Sequence, residues 1–312
     1  MCNHESKYCP RCNASFECKP GSITQCQCFE VTLTTEQRAY LEQQYNDCLC
    51  KDCLTYLKKE FELFIQHGYK DYLPNISIDC AIFGYHERKL KILLLNWKPI
   101  EGWSLPGGRV KRSESLQDSA ARILLERTGL QEIFLKQFYT FGDSVFRQNR
   151  FEYTQALSKF NIDFGEDNWL LDRTLSIGFY ALVDYSLVNP QPDFFTEECR
   201  WWDIHEVPEL LFDHNEMIEI ALKTLRHQMY YEPIGYNLLP GKFTLPEIHD
   251  LYETILGKTL DRRNFPKKLI STGIIKKLKE QRNIGAHRAP FLYKFDKRNY
   301  DKALKEGLSL SF

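Results

Sequence analysis

The sequence lacks three features that would narrow its functional class. It has no run of 18 or more apolar residues, so no segment is suited to cross a bilayer as a helix. No apolar stretch near the first residue resembles a secretory signal, and we therefore expect a cytoplasmic protein. Overall charge gives no indication of a partner, because 41 Lys/Arg nearly balance 42 Asp/Glu over the 312 residues.

Cysteine is scarce over most of the chain and concentrated near its beginning. Nine of the 11 cysteines lie between Cys2 and Cys53, in a pattern that contains two C-x-x-C pairs. Both sulfurs of such a pair can reach one ion, and a segment of about 50 residues needs a staple because it buries little core. We predict a module that binds zinc, with two ions, although disulfides or free thiols are the alternative. The predicted ligands, whose pairing the sequence leaves open, are Cys9, Cys12, Cys18, Cys26, Cys28, Cys48, Cys50 and Cys53.

This segment resembles the cysteine-rich CWC family of small bacterial modules over about residues 7–54. The matching features are the Cys-Pro-Arg-Cys run that starts at Cys9, then Phe16, and the Asp-Cys-Leu-Cys run that ends at Cys50. The family's central Trp is replaced by Gln27. The resemblance implies a small stapled fold and no particular activity.

The middle of the chain alternates strand-like and helix-like patterns. Residues 77–84 and 90–95 are typical of strands, and residues 55–75 are predicted to be a helical connector that ends near Pro74. The polar stretch 147–171 fits neither pattern, and we interpret it as an insertion in a long loop that covers a ligand pocket.

Residues 108–130 resemble the Nudix signature, a strand–loop–helix that holds a divalent metal against a diphosphate. Gly108, Glu114, Arg122, Glu126 and Gly129 occupy signature positions. The resemblance, together with the flanking residues, suggests a ligand pocket. The candidate ligand-binding residues are Arg109, Glu114, Arg122, Glu126 and Arg173.

Two of the three clustered glutamates of that signature are replaced, by Ile123 and Arg127. Ile123 offers no oxygen to Mg²⁺, which requires oxygen ligands. A cation facing Mg²⁺ at ~6 Å, with an effective dielectric constant of ~20, adds roughly 5 kcal/mol of repulsion. We therefore expect no catalytic residues and no Mg²⁺ in this site. The alternative is a Mg²⁺-dependent hydrolase of a nucleoside diphosphate derivative, which recruits carboxylates such as Asp118, Glu166 or Asp167.

The last part of the chain is basic. Residues 241–312 contain 16 Lys/Arg and 8 Asp/Glu, a net charge of +8, which leaves −9 for residues 1–240. A basic domain on an acidic body favours an anionic partner or a solvated basic surface. Thr244 and Glu247 form a capping-box pattern that predicts a helix start, and a second helix is predicted to begin near Asn264. Two strands follow, joined by the basic hairpin 281–288, which we call the wing.

Arg and Lys pair with phosphates and guanine edges, and Asn pairs with adenine, so the second helix and the wing are candidate DNA-binding elements. The candidate DNA-binding residues are Arg262, Arg263, Asn264, Lys267, Lys268 and Arg288.

Residues 76–298 as a whole resemble the Nudix-related transcriptional regulators, which include repressors of NAD metabolism that respond to ADP-ribose and arabinose-responsive repressors. The resemblance rests on the runs 233–240, 243–245, 251–257 and 261–265. It implies a homodimeric repressor that binds operator DNA and a sugar or ADP-ribose-like effector. The family has Arg where this chain has Pro266, which leaves the base contacts open.

Together these patterns predict an α+β/α/β chain of four parts. They are a zinc module (1–54), the connector (55–75), a Nudix-like α/β/α sandwich (76–230) and a winged helix-turn-helix domain (231–312). A ligand-responsive repressor is the leading hypothesis. The alternatives are the hydrolase and an adaptor whose basic tail binds RNA or protein.

Overall fold

The computed structural model describes residues 5–33, 38, 41–42, 45–97, 102–130, 135–142, 154–155, 158, 165, 167–188, 196–236, 238–282 and 289–308. The helices are α1 (Lys51–His67), α2 (Leu116–Thr128), α3 (His214–Gln228), α4 (Leu245–Leu256), α5 (Asn264–Ser271) and α6 (Lys297–Glu306). The strands are β1 (Glu5–Tyr8), β2 (Ser15–Cys18), β3 (Tyr72–His86), β4 (Lys89–Trp97), β5 (Gly102–Ser104), β6 (Gly107–Lys111), β7 (Leu135–Phe141), β8 (Leu175–Asp184), β9 (Thr196–Asp203), β10 (Phe243–Thr244), β11 (Ile275–Gln281) and β12 (Phe291–Phe295).

The cysteine-rich segment begins with an antiparallel hairpin of β1 and β2, and α1 follows it. The prediction of a helical connector over 55–75 is wrong at both ends, because α1 begins at Lys51 and ends at His67. Residues from Tyr72 onward belong to β3. Pro74 disfavours the helical conformation for the residue before it. Its missing amide hydrogen is tolerated because the β3–β6 register shifts between Tyr72 and Ser77.

A seven-stranded mixed sheet forms the centre of the molecule. Its path runs β5-β4-β3-β8-β7, with β6 paired to β3 and β9 paired to β4. Strands β3 and β8 are parallel over ten residue pairs, and both are buried on two faces, which accounts for their nearly continuous apolar sequences. The strands predicted at 77–84 and 90–95 are confirmed as parts of β3 and β4.

Helices α2 and α3 cover opposite faces of this sheet. Ala120 and Ile123 of α2 pack with Ile78 and other residues that alternate along β3. Met217 and Ala221 of α3 belong to a second cluster that contains the intervening β3 residues, such as Phe83. The alternation of β3 side chains thus builds a core on each side of the sheet, and the predicted α/β/α sandwich is confirmed.

The C-terminal part is a winged helix domain, as predicted. Strands β10, β12 and β11 form a small antiparallel sheet. The capping box of α4 is present: the Thr244 hydroxyl accepts from the Glu247 amide, and the Glu247 carboxylate accepts from the Thr244 amide at 2.7 Å. Helix α5 begins at Asn264, at the predicted residue.

The two larger domains share packing. The cluster that covers one face of the Nudix-like sheet continues without interruption through Leu251 and Tyr252 of α4. The linker between the domains is held by α6 and the residues after it, because the Tyr300 hydroxyl donates to the Pro233 carbonyl at 2.8 Å and the Leu308 amide donates to the Tyr231 carbonyl at 2.5 Å. The Nudix-like domain and the winged helix domain are therefore in direct packed contact.

Most of the predicted insertion 147–171 lies outside the described residues. Its end forms a single 3-10 turn, Trp169–Leu171, that packs against the last turn of α1. Among the helices that the structure describes, none is long and apolar enough to cross a membrane.

Candidate functional site

A cavity of about 610 Å³ opens on the Nudix-like domain beside the α2 motif. Its walls come from the last turn of α1, the sheet, the β5–β6 segment, α2, residues 170–174 and the start of α3. The size is within the range that small-molecule sites in proteins occupy. Sequence elements far apart in the chain thus converge on one concave site.

Four of the five predicted ligand-binding residues line this cavity, namely Arg109, Arg122, Glu126 and Arg173. Glu114 is not among the lining residues, since its carboxylate accepts from Arg122 Nε at 2.9 Å and from the Ser119 hydroxyl at 2.7 Å. The Arg122 hydrogen bond lowers the pKa of Glu114 below its usual value.

Arg122 holds the remaining carboxylates of the motif in place. Its Nη1 lies 3.3 Å from Glu126 in the predicted i,i+4 pair, and its Nη2 donates to the Arg109 carbonyl at 2.9 Å. Because Glu114 and Glu126 share this one guanidinium, the carboxylates of the motif are engaged in ion pairs.

Both residues that replace glutamates of the motif, Ile123 and Arg127, are buried. Ile123 is 1% exposed, and a Cβ on Gly108 would lie 3.0 Å from its Cγ1, so it packs directly under the β6 backbone. Arg127 is also buried and its Nη2 donates to the Gly107 carbonyl at 3.3 Å. Arg127 nevertheless lines the cavity, which brings a cation to its wall.

The cavity floor contains polar residues that the sequence reasoning missed. Asp79 is 9% exposed, and its carboxylate accepts from the hydroxyls of Ser77, at 3.2 Å, and Ser176. His214 Nε2 lies 3.7 Å from the Asp79 carboxylate, and its Nδ1 accepts from the Leu105 amide at 2.9 Å. A single carboxylate inside the apolar run of β3 was the signal available in the sequence, because such groups are rarely buried without a role.

Burial controls the protonation of this floor. Desolvation lowers the pKa of His214, which keeps the imidazole neutral and consistent with Nδ1 accepting a hydrogen bond. Desolvation also raises the pKa of the neighbouring Asp213 carboxyl. The Asp79 carboxylate gives the floor hydrogen-bond acceptors that suit ligand hydroxyls, while the arginines suit anionic groups.

A second candidate site is the exposed face of α5. Arg262, Arg263, Asn264, Lys267 and Lys268 are all exposed, whereas Phe265 and Leu269 are buried in the domain core. Asp261 fixes the turn before α5. Its carboxylate accepts from the Arg263 amide at 2.9 Å and from the Asn264 amide at 2.6 Å. The predicted wing residue Arg288 lies outside the described residues.

The third candidate site is the cysteine cluster. The Sγ atoms of Cys9, Cys12, Cys50 and Cys53 all lie within 4.8 Å of one another. Burial opposes ionisation of Cys9, but hydrogen bonds from the amides of Cys50, Cys12 and Arg11 outweigh it and lower its pKa to about 6. A ready thiolate among four converging sulfurs is the donor set that a thiophilic metal ion requires.

The other four predicted ligands are neighbours, although their sulfurs converge less tightly than those of the first group. Cys18 and Cys48 have Sγ atoms 4.0 Å apart, and Cys26 interacts with both Cys18 and Cys28. The fold therefore separates the eight cysteines into two groups, a pairing that the spacing alone left open.

Comparisons with known proteins give three family models that match separate parts of the chain. Residues 9–55 match the family model described as cysteine-rich CWC, and residues 74–221 match the NUDIX domain model. Residues 235–295 match the model of the NrtR DNA-binding winged helix domain.

Relatives and solved structures extend the same picture. The ADPR responsive transcriptional repressor NtrR of Acinetobacter baylyi is 28% identical over 244 residues, covering 76% of this chain and 88% of that protein. The crystal structure of Shewanella oneidensis NrtR complexed with a 27mer DNA superimposes with a TM-score of 0.55 at 22% identity, over 72% of this chain and 95% of that one. A MutT/nudix family protein from Enterococcus faecalis gives a TM-score of 0.51 at 18% identity, over 85% and 100% of the two chains. The chain thus combines a CWC cysteine-rich module, a Nudix domain and an NrtR-type winged helix domain, and it is homologous to the ADPR-responsive repressor NtrR.

Proposed function

We propose that the chain is a ligand-responsive transcriptional repressor whose Nudix domain binds an ADP-ribose-like effector. The observation that carries the proposal is the exposed cationic face of α5 on a domain that shares its core with the domain containing the cavity. A helix that presents Arg, Lys and Asn outward suits operator DNA. The cavity supplies the sensor, and the similarity to the ADPR responsive repressor of Acinetobacter supports ADP-ribose as its ligand.

The cavity chemistry fits such an effector. Arg109, Arg122, Arg127 and Arg173 line it and match a diphosphate, and the Asp79 carboxylate on the floor matches sugar hydroxyls. A plain sugar would use the floor and would bring no anionic group to the arginines of the wall. We therefore favour ADP-ribose over a free pentose.

We propose further that the Nudix domain does not turn over its ligand. The Mg²⁺ that Nudix hydrolases use does not fit these residues, because Ile123 offers no oxygen, Arg127 adds a cation, and Glu114 and Glu126 are paired with Arg122. Of the carboxylates that a hydrolase would recruit instead, Asp118 accepts from the Ser115 hydroxyl at 2.7 Å and Asp167 is not among the cavity-lining residues, while Glu166 lies outside the described residues.

A turnover assay separates the sensor from the hydrolase. Purified protein with Mg²⁺ and ADP-ribose should bind the compound without releasing AMP or ribose 5-phosphate. Steady turnover at rates typical of enzymes would overturn the sensor proposal and favour the hydrolase.

The cysteine module is proposed to hold two zinc ions. One group is Cys9, Cys12, Cys50 and Cys53, and the support for it is the convergence of their sulfurs. The second group is Cys18, Cys26, Cys28 and Cys48. Metal analysis of the purified chain should give two equivalents of zinc. Stoichiometric disulfides instead of metal would contradict this assignment.

The repressor is proposed to act as a cytoplasmic homodimer. A dimer presents two copies of α5, which can read two half-sites one helical turn apart. The predicted contact residues are those on the α5 face together with Arg288 of the wing. Light scattering on the purified chain should give twice the 36.9 kDa chain mass.

A further inference from the structure

Helix α1 connects the cysteine cluster directly to the effector cavity. Cys50 is the residue that precedes the first turn of α1, and Cys53 lies within that turn. The other two sulfurs of the group, those of Cys9 and Cys12, lie on the turn after β1, where the Cys9 carbonyl accepts from the Asn13 amide at 2.8 Å. An ion bound by all four would therefore fasten the beginning of α1 to the hairpin.

The other end of α1 is fastened to the segment that borders the cavity. The Ile65 carbonyl accepts from Trp169 Nε1 and from Asn168 Nδ2, each at 2.9 Å. The Trp169 ring packs against Gly68 so closely that a Cβ there would lie 2.4 Å from it, and it makes an edge contact with Phe64. The end of α1 is therefore in direct contact with this segment.

The end of α1 and the segment that follows Trp169 both contribute to the cavity wall. Phe64 lines the cavity, and so do residues 170–174, which continue directly from Trp169. Thr174 accepts from Arg109 Nη1 at 2.8 Å, and the same nitrogen donates to the Pro74 carbonyl at 2.6 Å. The end of α1 thus supports a wall that carries one of the cavity arginines.

The module, in its described residues, has only a small fully buried core beside α1. Its buried cluster contains Cys9, Val31, Leu49, Cys50, Cys53 and Leu54, so three of the six are metal-site cysteines. A core of this size does not fix a segment of about 50 residues without a staple. Loss of the ion should loosen the beginning of α1, and the helix would transmit this over about 16 Å to Phe64.

We infer that the cysteine module is a second input to the sensor: a thiophilic metal ion at Cys9, Cys12, Cys50 and Cys53 raises the affinity of the Nudix cavity for its effector. The inference rests on the proposed function, since it takes ADP-ribose as the effector. With the metal bound, the cavity wall is ordered before the effector arrives. Without it, effector binding must bear the cost of ordering α1 and residues 168–174. Linkage requires the reverse effect as well, so the effector raises metal affinity by the same factor.

Calorimetry on the full chain tests this inference. ADP-ribose binding is measured on zinc-loaded protein and on protein stripped with a chelator under reducing conditions. Couplings between sites commonly change affinity 5- to 150-fold. We expect the Kd for ADP-ribose to be about tenfold higher in the stripped protein than in the zinc-loaded protein. Equal Kd values in the two forms would overturn the inference. Absence of ADP-ribose binding in both forms would instead overturn the proposed function.

A pair of substitutions at one exposed position tests the route through α1. Lys59 is exposed in the middle of the helix, away from both ends. Proline there removes one helix hydrogen bond and kinks the helix, whereas alanine keeps it. Lys59→Pro should bring the ratio of the stripped and loaded Kd values close to one while each form still binds ADP-ribose, and Lys59→Ala should keep the ratio of the unaltered chain. A ratio that stays near ten in Lys59→Pro would exclude α1 as the route.

Discussion

The buried imidazole of His214 makes the stability of the sensor domain dependent on pH. Burial lowers the pKa of His214 in the folded chain below its ordinary value of 6.5. The unfolded chain therefore takes up the proton first, and the stability contributed by the neutral ring is present above about pH 6.5 and is lost as the pH falls through the lowered value.

Replacement of His214 should remove this dependence. We expect the melting temperature of the unaltered chain to fall more steeply between about pH 7 and about pH 5 than that of His214→Asn, because asparagine does not titrate and its oxygen can accept from the Leu105 amide. His205→Gln is a matched control, since His205 is exposed. Parallel melting curves for the unaltered chain and His214→Asn would contradict this account of the floor.

Arg122 is expected to be the residue on which effector binding depends most. Its removal would leave Glu114 and Glu126 without their shared cation, so the wall beside a diphosphate would gain uncompensated negative charge. Arg122→Ala should weaken ADP-ribose binding at least about tenfold, as measured by calorimetry, which corresponds to about 1.4 kcal/mol. Arg112→Ala is the control, because Arg112 is exposed and donates to the Tyr69 carbonyl away from the cavity. Equal affinity in the two variants would show that the motif helix is only structural.

The elements of the winged helix domain were predictable because their signals are local. The Thr244 and Glu247 pair marks the start of α4, and Pro266 is tolerated only in the first turn of a helix, which places the start of α5 at Asn264. The contact of Asp79, Leu105 and His214 on the cavity floor was not predictable, because the three residues lie far apart in the sequence. Their contact depends on the sheet order and not on any short motif.

The ends of helix α1 were also not predictable from the sequence, because they depend on contacts with distant residues. The apolar pattern indicated a helix, but its beginning depends on Cys50 and Cys53, whose place in the cluster no periodicity reveals. Its end depends on Trp169, which belongs to a polar insertion far along the chain. The prediction of a connector therefore identified the helix and misplaced both its ends.

The α5 face is expected to contact phosphates as well as bases. Each lost phosphate contact reduces the slope of log binding constant against log salt concentration by about 1. Lys267→Ala should weaken DNA binding and make its dependence on salt less steep. Fluorescence anisotropy at several salt concentrations measures both quantities. Lys223→Ala removes an equally exposed charge from α3 and should leave both quantities unchanged. A slope unaffected by Lys267→Ala would remove α5 from the DNA interface.

The β3–β4 hairpin gives the Nudix domain a second contact with the winged helix domain, besides the shared core. Glu87 and Arg88, at the tip of the hairpin, have positive φ angles of 49° and 60°. The Arg88 guanidinium lies 2.6 Å from Asp250 of α4, and the Arg88 carbonyl accepts from the Thr254 hydroxyl at 3.3 Å. The tip is thus attached to the helix that precedes the DNA-binding helix.

Arg88→Ala should therefore reduce the effect of ADP-ribose on DNA affinity while leaving DNA binding in its absence nearly unchanged. The coupling is the ratio of DNA Kd values with and without ADP-ribose, and it should fall toward one. Lys89→Ala is the matched control, because Lys89 pairs with Asp203 inside the Nudix domain at 3.1 Å. An unaltered ratio in Arg88→Ala would mean that the hairpin contact does not transmit the signal.

The whole molecule consists of a Nudix domain and a winged helix domain with shared packing, and of a cysteine module attached to the Nudix domain through α1. The most direct test of this account is titration of ADP-ribose into the zinc-loaded protein bound to DNA from upstream of its own gene, with anisotropy recorded and a random fragment of equal length as control. The account predicts tight, salt-sensitive binding to the upstream fragment that ADP-ribose weakens while the compound stays intact. Equal binding to both fragments, or hydrolysis of ADP-ribose without any effect on DNA, would contradict it.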